Sequence, residues 1–251
     1  MAAAIAFVVC WAGSTARAQS AATLNIRGKD QALRTFGSPA GDPIIVSSSD
    51  GGWLRLAPHV AEVLRARGFF VVGLDVKAYL ESFTSTSTAL RIEDEPADYR
   101  MLAEFAAQRT HRKPILIGVS EGAGLSVLAA TDPQTKAAIA GVVGIGLPDR
   151  TELGWRWKDA VIYLTHGVPN EPTFRTSALI GNVAPVPIAV IHSTHDEFFS
   201  VADVQKLFGG LRDPKKLWVV NATDHRFSDN LAEFDRRLVE AVDWVKQHMP
   251  R

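Results

Sequence analysis

Cysteine is almost absent from this 251-residue chain, in which Cys10 is the only one. A single thiol forms no internal disulfide, and loss of the first 18 residues would leave no thiol nucleophile and no cysteine ligand for a metal. Charge of one sign is also lacking: Lys plus Arg and Asp plus Glu each number 27, so no global field draws the chain to nucleic acid or to an anionic bilayer. No apolar run reaches the ~20 residues that span a membrane. There is no internal repeat and no linker, and the longest low-complexity tract is the Ser/Thr cluster Ser82–Thr88. What remains is 47% hydrophobic and 22% charged, an ordinary globular composition that suits one α/β domain with a full core.

The first 18 residues read as a secretory signal peptide. An apolar stretch from Ala2 to Ala12 is followed by small and polar residues ending in Ala16-Arg17-Ala18, an A-x-A cleavage pattern before Gln19. A buried N-terminal helix or strand is the alternative reading. Val9 ahead of Cys10 argues against a lipid anchor. Residues 19–251 are then expected to form a single exported domain.

Within that domain short β-branched runs alternate with amphipathic stretches, the pattern of a mostly parallel sheet with helices on both faces. Strands are expected at Ile44–Ser47, Phe69–Leu74, Ile115–Val119, Ile139–Ile145, Ile188–His192 and Leu217–Asn221. An early helix carries Leu56, Val60, Val63 and Leu64 on one face and ends before Gly68. The last helix carries Leu231, Phe234, Leu238, Val242 and Val245, with Ser228 or Asp229 as its N-cap. Thr151–Pro185 is the least regular part and is expected to be a lid, a substrate-facing insertion or a plain connection. Trp155 and Trp157 in it, and Trp53 earlier, are candidates for substrate contact.

The chemistry is carried by Gly118-Val119-Ser120-Glu121-Gly122, placed between a strand and the small-residue helix Ala123–Ala130. A G-x-S-x-G turn there forces the serine into a strained conformation and exposes its hydroxyl near a helix N-terminus. A serine hydroxyl needs a base, and the base needs a group to orient it. Asp196 follows the Ile188–His192 strand and His225 follows the Leu217–Asn221 strand, giving the chain order Ser, Asp, His of the α/β-hydrolase fold. Glu197 is an alternative acid, and Asp224 is expected to cap a turn. His192 and His195 also allow a weak metal reading, with no clear third ligand. Oxyanion donors are expected from the backbone N–H of Glu121 and of Asp50 or Gly51, in Ser48-Ser49-Asp50-Gly51-Gly52-Trp53. Asp50 and Glu121 would place negative charge at the site mouth and suit a cationic acyl group. No cofactor and no metal are implied.

Taken together, Ser48-Ser49-Asp50-Gly51-Gly52-Trp53, Val72-Gly73-Leu74-Asp75 with Tyr79, the serine turn and Asp224-His225-Arg226-Phe227 resemble the bacterial virulence protein (VirJ) family, which includes the C-terminal domain of AcvB. The resemblance runs from about Pro43 to the end. It implies a periplasmic α/β-hydrolase-like protein, linked to type IV secretion and to hydrolysis of aminoacylated phosphatidylglycerol, with Ser120 as nucleophile, Asp196 as acid and His225 as base. The sequence departs from that family at Ser49, where glycine is usual, and at Glu121, where an aromatic is common. A non-catalytic accessory protein on the same scaffold, or a serine peptidase, are the other readings. The expected partner is a small or lipid ester, at or near a membrane surface, and not nucleic acid.

Overall fold

A computed structural model describes residues 19–157 and 171–250. The expected signal peptide, and His166 with the middle of the expected lid, lie outside the described residues. Ten strands are described: β1 (Ser20–Ile26), β2 (Lys29–Phe36), β3 (Pro43–Ser47), β4 (Phe70–Leu74), β5 (Ile115–Val119), β6 (Gly141–Ile145), β7 (Arg150–Glu152), β8 (Thr173–Arg175), β9 (Ile188–Ser193) and β10 (Lys215–Val220). The helices are α1 (Leu56–Ala66), α2 (Val76–Phe83), α3 (Glu95–Thr110), α4 (Glu121–Ala129), α5 (Pro133–Ala138), α6 (Thr176–Leu179), α7 (Val201–Gly209) and α8 (Leu231–Gln247). Eight strands form one sheet in the order β1-β2-β4-β3-β5-β6-β9-β10. All neighbours from β4 to β10 run parallel, and β1 and β2 add an antiparallel hairpin at one edge. The six expected strands are present, with ends shifted by up to two residues.

The two-residue period of the strands divides the core. On β3, Ile44 and Val46 face α1 and α8, while Ile45 faces the layer of α3 and α4; on β9, Ala189 and Ile191 share the first layer and Ile188 and Val190 the second. Strands buried on both faces read as continuous apolar runs, which is why β3, β5 and β9 stand out in the sequence. Helix α8 buries Phe234, Leu238, Ala241, Val242 and Val245, and the four larger side chains are each worth about 1.5–3 kcal/mol when taken fully from water. Its N-cap is Asn230, without a side-chain cap bond. The expected Ser228 or Asp229 falls short because Asp229 is spent on the Thr223 backbone N–H at 2.9 Å.

The β1–β2 hairpin has no counterpart in the expected strands. It turns at Arg27-Gly28, both at positive φ, and Arg27 ties it to α3 through Nε to Asp98 Oδ1 (2.8 Å) and Nη2 to Asp98 Oδ2 (2.6 Å). Tyr79 donates to the same fully buried carboxylate at 2.7 Å. Glu95, one turn earlier, is also fully buried, and neither carboxyl oxygen has a hydrogen-bond partner. Burial, then the Asp98 charge, pushes its pKa well above the ordinary value. The irregular segment is in part an ordinary connection: β7 pairs antiparallel with β8, and α6 follows.

Candidate active site

Parallel strands present their carboxyl ends at one rim of the sheet, so the loops after β3, β5, β6, β9 and β10 meet there. Ser120 sits where β5 turns into α4, at φ 54 and ψ −117, a conformation that costs a non-glycine residue about 1–3 kcal/mol. The turn is tight enough to need its glycines. A Cβ on Gly118 would lie 2.1 Å from the Gly122 carbonyl oxygen, and one on Gly122 would lie 2.5 Å from the Ser47 and Ser48 oxygens. The Ser120 backbone N–H donates to the Ile145 carbonyl at 2.9 Å, which fixes the serine against the end of β6.

The residue after β6 also seats the histidine. Gly146, at φ 58, lies under the His225 ring, and a Cβ there would come within 2.3 Å of Cε1. His225 Nδ1 donates to Asp196 Oδ2 at 2.5 Å, and the Asp196 side chain is fully buried. Asp196 Oδ1 accepts from the Phe198 and Phe199 backbone N–H groups at 3.0 and 3.1 Å. Burial opposes the charged carboxylate, but the His225 hydrogen bond and charge, with those N–H groups, outweigh it and hold the Asp196 pKa below the ordinary value. With its proton on Nδ1, His225 keeps a lone pair on Nε2, and that atom is buried without a partner.

Several neighbours brace this pair. The alternative acid, Glu197, instead accepts the His225 backbone N–H at 2.7 Å and so anchors the histidine loop. Asp224 caps the turn, accepting from the Arg226 and Ser228 N–H groups at 3.0 and 2.9 Å. Phe198, 65% exposed, sets its ring edge-on to His225 with centroids 5.3 Å apart. His192 is fully buried, bonds the Phe199 carbonyl through Nε2 at 2.6 Å, and leaves Nδ1 3.9 Å from Asp196 Oδ2. Burial lowers its pKa, so it lies neutral behind the acid. His195 turns its Nδ1 to the Ala222 carbonyl at 3.1 Å.

The serine hydroxyl does not meet the histidine. Ser120 Oγ donates to Glu121 Oε2 at 3.0 Å. Burial raises the Glu121 pKa well above the ordinary value, and the Asp50 and Glu152 charges add to it. Asp50 is raised as well, chiefly by burial, against the pull of the Gly51 and Asp50 N–H groups and of His225 and Arg226. Asp50 and Gly51 form the tip of a turn closed by the Gly52 N–H on the Ser49 carbonyl at 3.0 Å. Both expected oxyanion loops therefore reach the rim, each with a carboxyl beside its amide. Glu152, on β7, was not among the expected site residues; nothing in its sequence setting marks it.

The tryptophans are placed otherwise. Trp53 covers Gly73 of β4 and stacks on Phe36 with centroids 6.2 Å apart, so it packs on the sheet. Trp155 and Trp157 meet edge to face at 5.9 Å, with Lys77 Nζ 3.7 Å from the Trp155 centroid. They flank a cavity of about 460 Å³ whose other wall is Glu81 and Thr84–Thr86; neither Ser120 nor His225 lines it.

Comparison with known proteins agrees with this architecture. Residues 43–159 match the bacterial virulence protein (VirJ) family. The VirJ-matching segment holds β3 to β7, the serine turn and both expected oxyanion loops; Asp196 and His225 lie beyond it. No curated protein matches the chain by sequence. Among solved structures, the chain is similar to an esterase domain from Rhodothermus marinus, at 18% identity and TM-score 0.62, covering 91% of this chain and 98% of that one. It is similar to a dienelactone hydrolase from Anabaena variabilis ATCC 29413, at 15% identity and TM-score 0.66, covering 93% and 98%. A serine hydrolase without lid from Xanthomonas campestris gives 19% identity and TM-score 0.60, covering 93% and 96%. The chain thus has the α/β-hydrolase fold, with a VirJ match over residues 43–159.

Proposed function

We propose that the protein is an exported serine hydrolase that cleaves a carboxylic ester through Ser120, His225 and Asp196. The observation that carries this reading is the 2.5 Å His225–Asp196 hydrogen bond, which leaves the Nε2 lone pair free beside a serine held at positive φ. In the reaction Ser120 Oγ attacks the ester carbonyl carbon while its proton passes to His225 Nε2. Asp196 holds the imidazole tautomer and stabilises the imidazolium. The alkoxide leaves with that proton, and water, activated by the same base, frees the acid from the serine. The Glu121 and Gly51 backbone N–H groups receive the oxyanion charge, where one donor is worth about a hundred- to a thousandfold in rate.

Asp50 and Glu121, two carboxyls at the serine rim whose charged forms burial disfavours, would be stabilised in those forms by a cationic group, which supports a substrate with a cationic acyl part. The resemblance of the sequence motifs to the VirJ family directs this proposal to an aminoacyl ester of phosphatidylglycerol at the envelope, while the match over residues 43–159 is to a bacterial virulence protein family. A second reading, a non-catalytic periplasmic accessory protein, is favoured by the Ser120 hydroxyl bonding Glu121 and not His225.

The deciding experiment compares residues 19–251 and the Ser120→Ala variant on short acyl esters and on lysyl- and alanyl-phosphatidylglycerol. Turnover by the first that falls at least a thousandfold in the second supports the enzyme. Equal inertness, with no fluorophosphonate label on Ser120, supports the accessory protein.

A further inference from the structure

The same residue that offers an oxyanion amide also holds the nucleophile by its side chain. Ser120 Oγ donates to Glu121 Oε2 at 3.0 Å, and His225 Nε2 is buried without a hydrogen-bond partner. For the base to receive the serine proton, the hydroxyl must rotate about Cα–Cβ and leave the carboxyl.

We propose that Glu121 is a positioning residue that holds the Ser120 hydroxyl away from His225, so that the hydroxyl must leave its side chain before attack. The inference rests on the hydrolase reading above. It holds for either protonation state of Glu121, since a carboxylate accepts from the hydroxyl and a carboxylic acid can accept or donate. Truncating the side chain leaves the backbone N–H in place, which separates the restraint on the hydroxyl from the oxyanion donor. A side chain that competes with substrate lowers the fraction of ready enzyme and raises apparent KM, leaving kcat little changed.

The test measures the second-order rate of fluorophosphonate labelling at Ser120, together with kcat and KM on a neutral short acyl ester, for wild type, Glu121→Ala, Glu121→Gln and Ser120→Ala. Glu121→Ala is expected to label several-fold to about tenfold faster, the weight of one hydrogen bond, and to lower KM by a larger factor than it changes kcat. Glu121→Gln, isosteric but a weaker acceptor, should fall between it and wild type, and decides the matter if the alanine variant does not fold. Labelling of folded variants at or below the wild-type rate overturns the inference while leaving the hydrolase reading intact. Labelling of a variant when wild type stays unlabelled supports it in its strongest form. Absence of label from wild type and both variants overturns the inference and the hydrolase reading together.

Discussion

At the scale of residues, the His225–Asp196 pair depends on how closely the Gly146 backbone approaches the His225 ring. Gly146→Ala puts a methyl group on the His225 ring, 2.3 Å from Cε1, at a residue with φ 58. The ring must tilt off Asp196, so ester turnover should fall by about a hundredfold or more, in keeping with a misplaced catalytic group, while circular dichroism keeps its native shape. Asp196→Asn should cost about 10⁴ in kcat by holding His225 in the wrong tautomer. The pH dependence of stability should register Asp196 as well. Its pKa is lowered on folding, so its contribution is present above the unfolded carboxylate value and disappears as pH falls through the lower folded value. Urea melts of wild type and Asp196→Asn should therefore converge as pH is taken down through the carboxylate range. The strand-end positions of Ser120, Asp196, His225 and the two amide loops were legible because each is tied to a strand end by residue type and chain order. The direction of the Glu121 carboxyl was not, because it depends on a side-chain rotation that pattern does not encode. Nor was the packing of Trp53, which follows from the room that Gly73 leaves on the neighbouring strand.

Elements were readable in proportion to how completely they are buried. Strands β3, β5, β6 and β9 are apolar on both faces and declare themselves, whereas β1 exposes most of its residues and reads as polar chain. Helix α3 escaped a clear stripe because Glu95 and Asp98 lie on its buried side. Asp98 has hydrogen-bond partners and Glu95 has none. Arg27→Ala would strip Asp98 of its guanidinium partner and leave a buried carboxylate on Tyr79 alone, for an expected loss of about 3 kcal/mol by urea denaturation. Glu95 has a folded pKa above its unfolded one, so stability is full below the unfolded value and drains as pH rises towards the folded value, by about 1.4 kcal/mol per pH unit. Glu95→Gln removes that drain. Its melting temperature should track wild type near pH 4 and gain on it steadily towards pH 7.

For the whole molecule, the sheet order sets which parts must be present together. The β1–β2 hairpin buries Ile26, Leu33 and Phe36 and shields the β4 edge. A chain beginning after Phe36 should lose cooperative unfolding and associate, because an unpaired apolar strand edge recruits other chains; light scattering and a thermal melt would show it. At the other end, β10 closes the sheet and α8 completes the layer over β6 and β9, and between them lies His225, the base of the proposed reaction. A ribosome therefore releases the serine and its oxyanion loops well before the histidine. The last layer of core and the last reactive group arrive together, within the final stretch of synthesis. A nascent chain caught part-way therefore carries Ser120 without the group proposed to activate it.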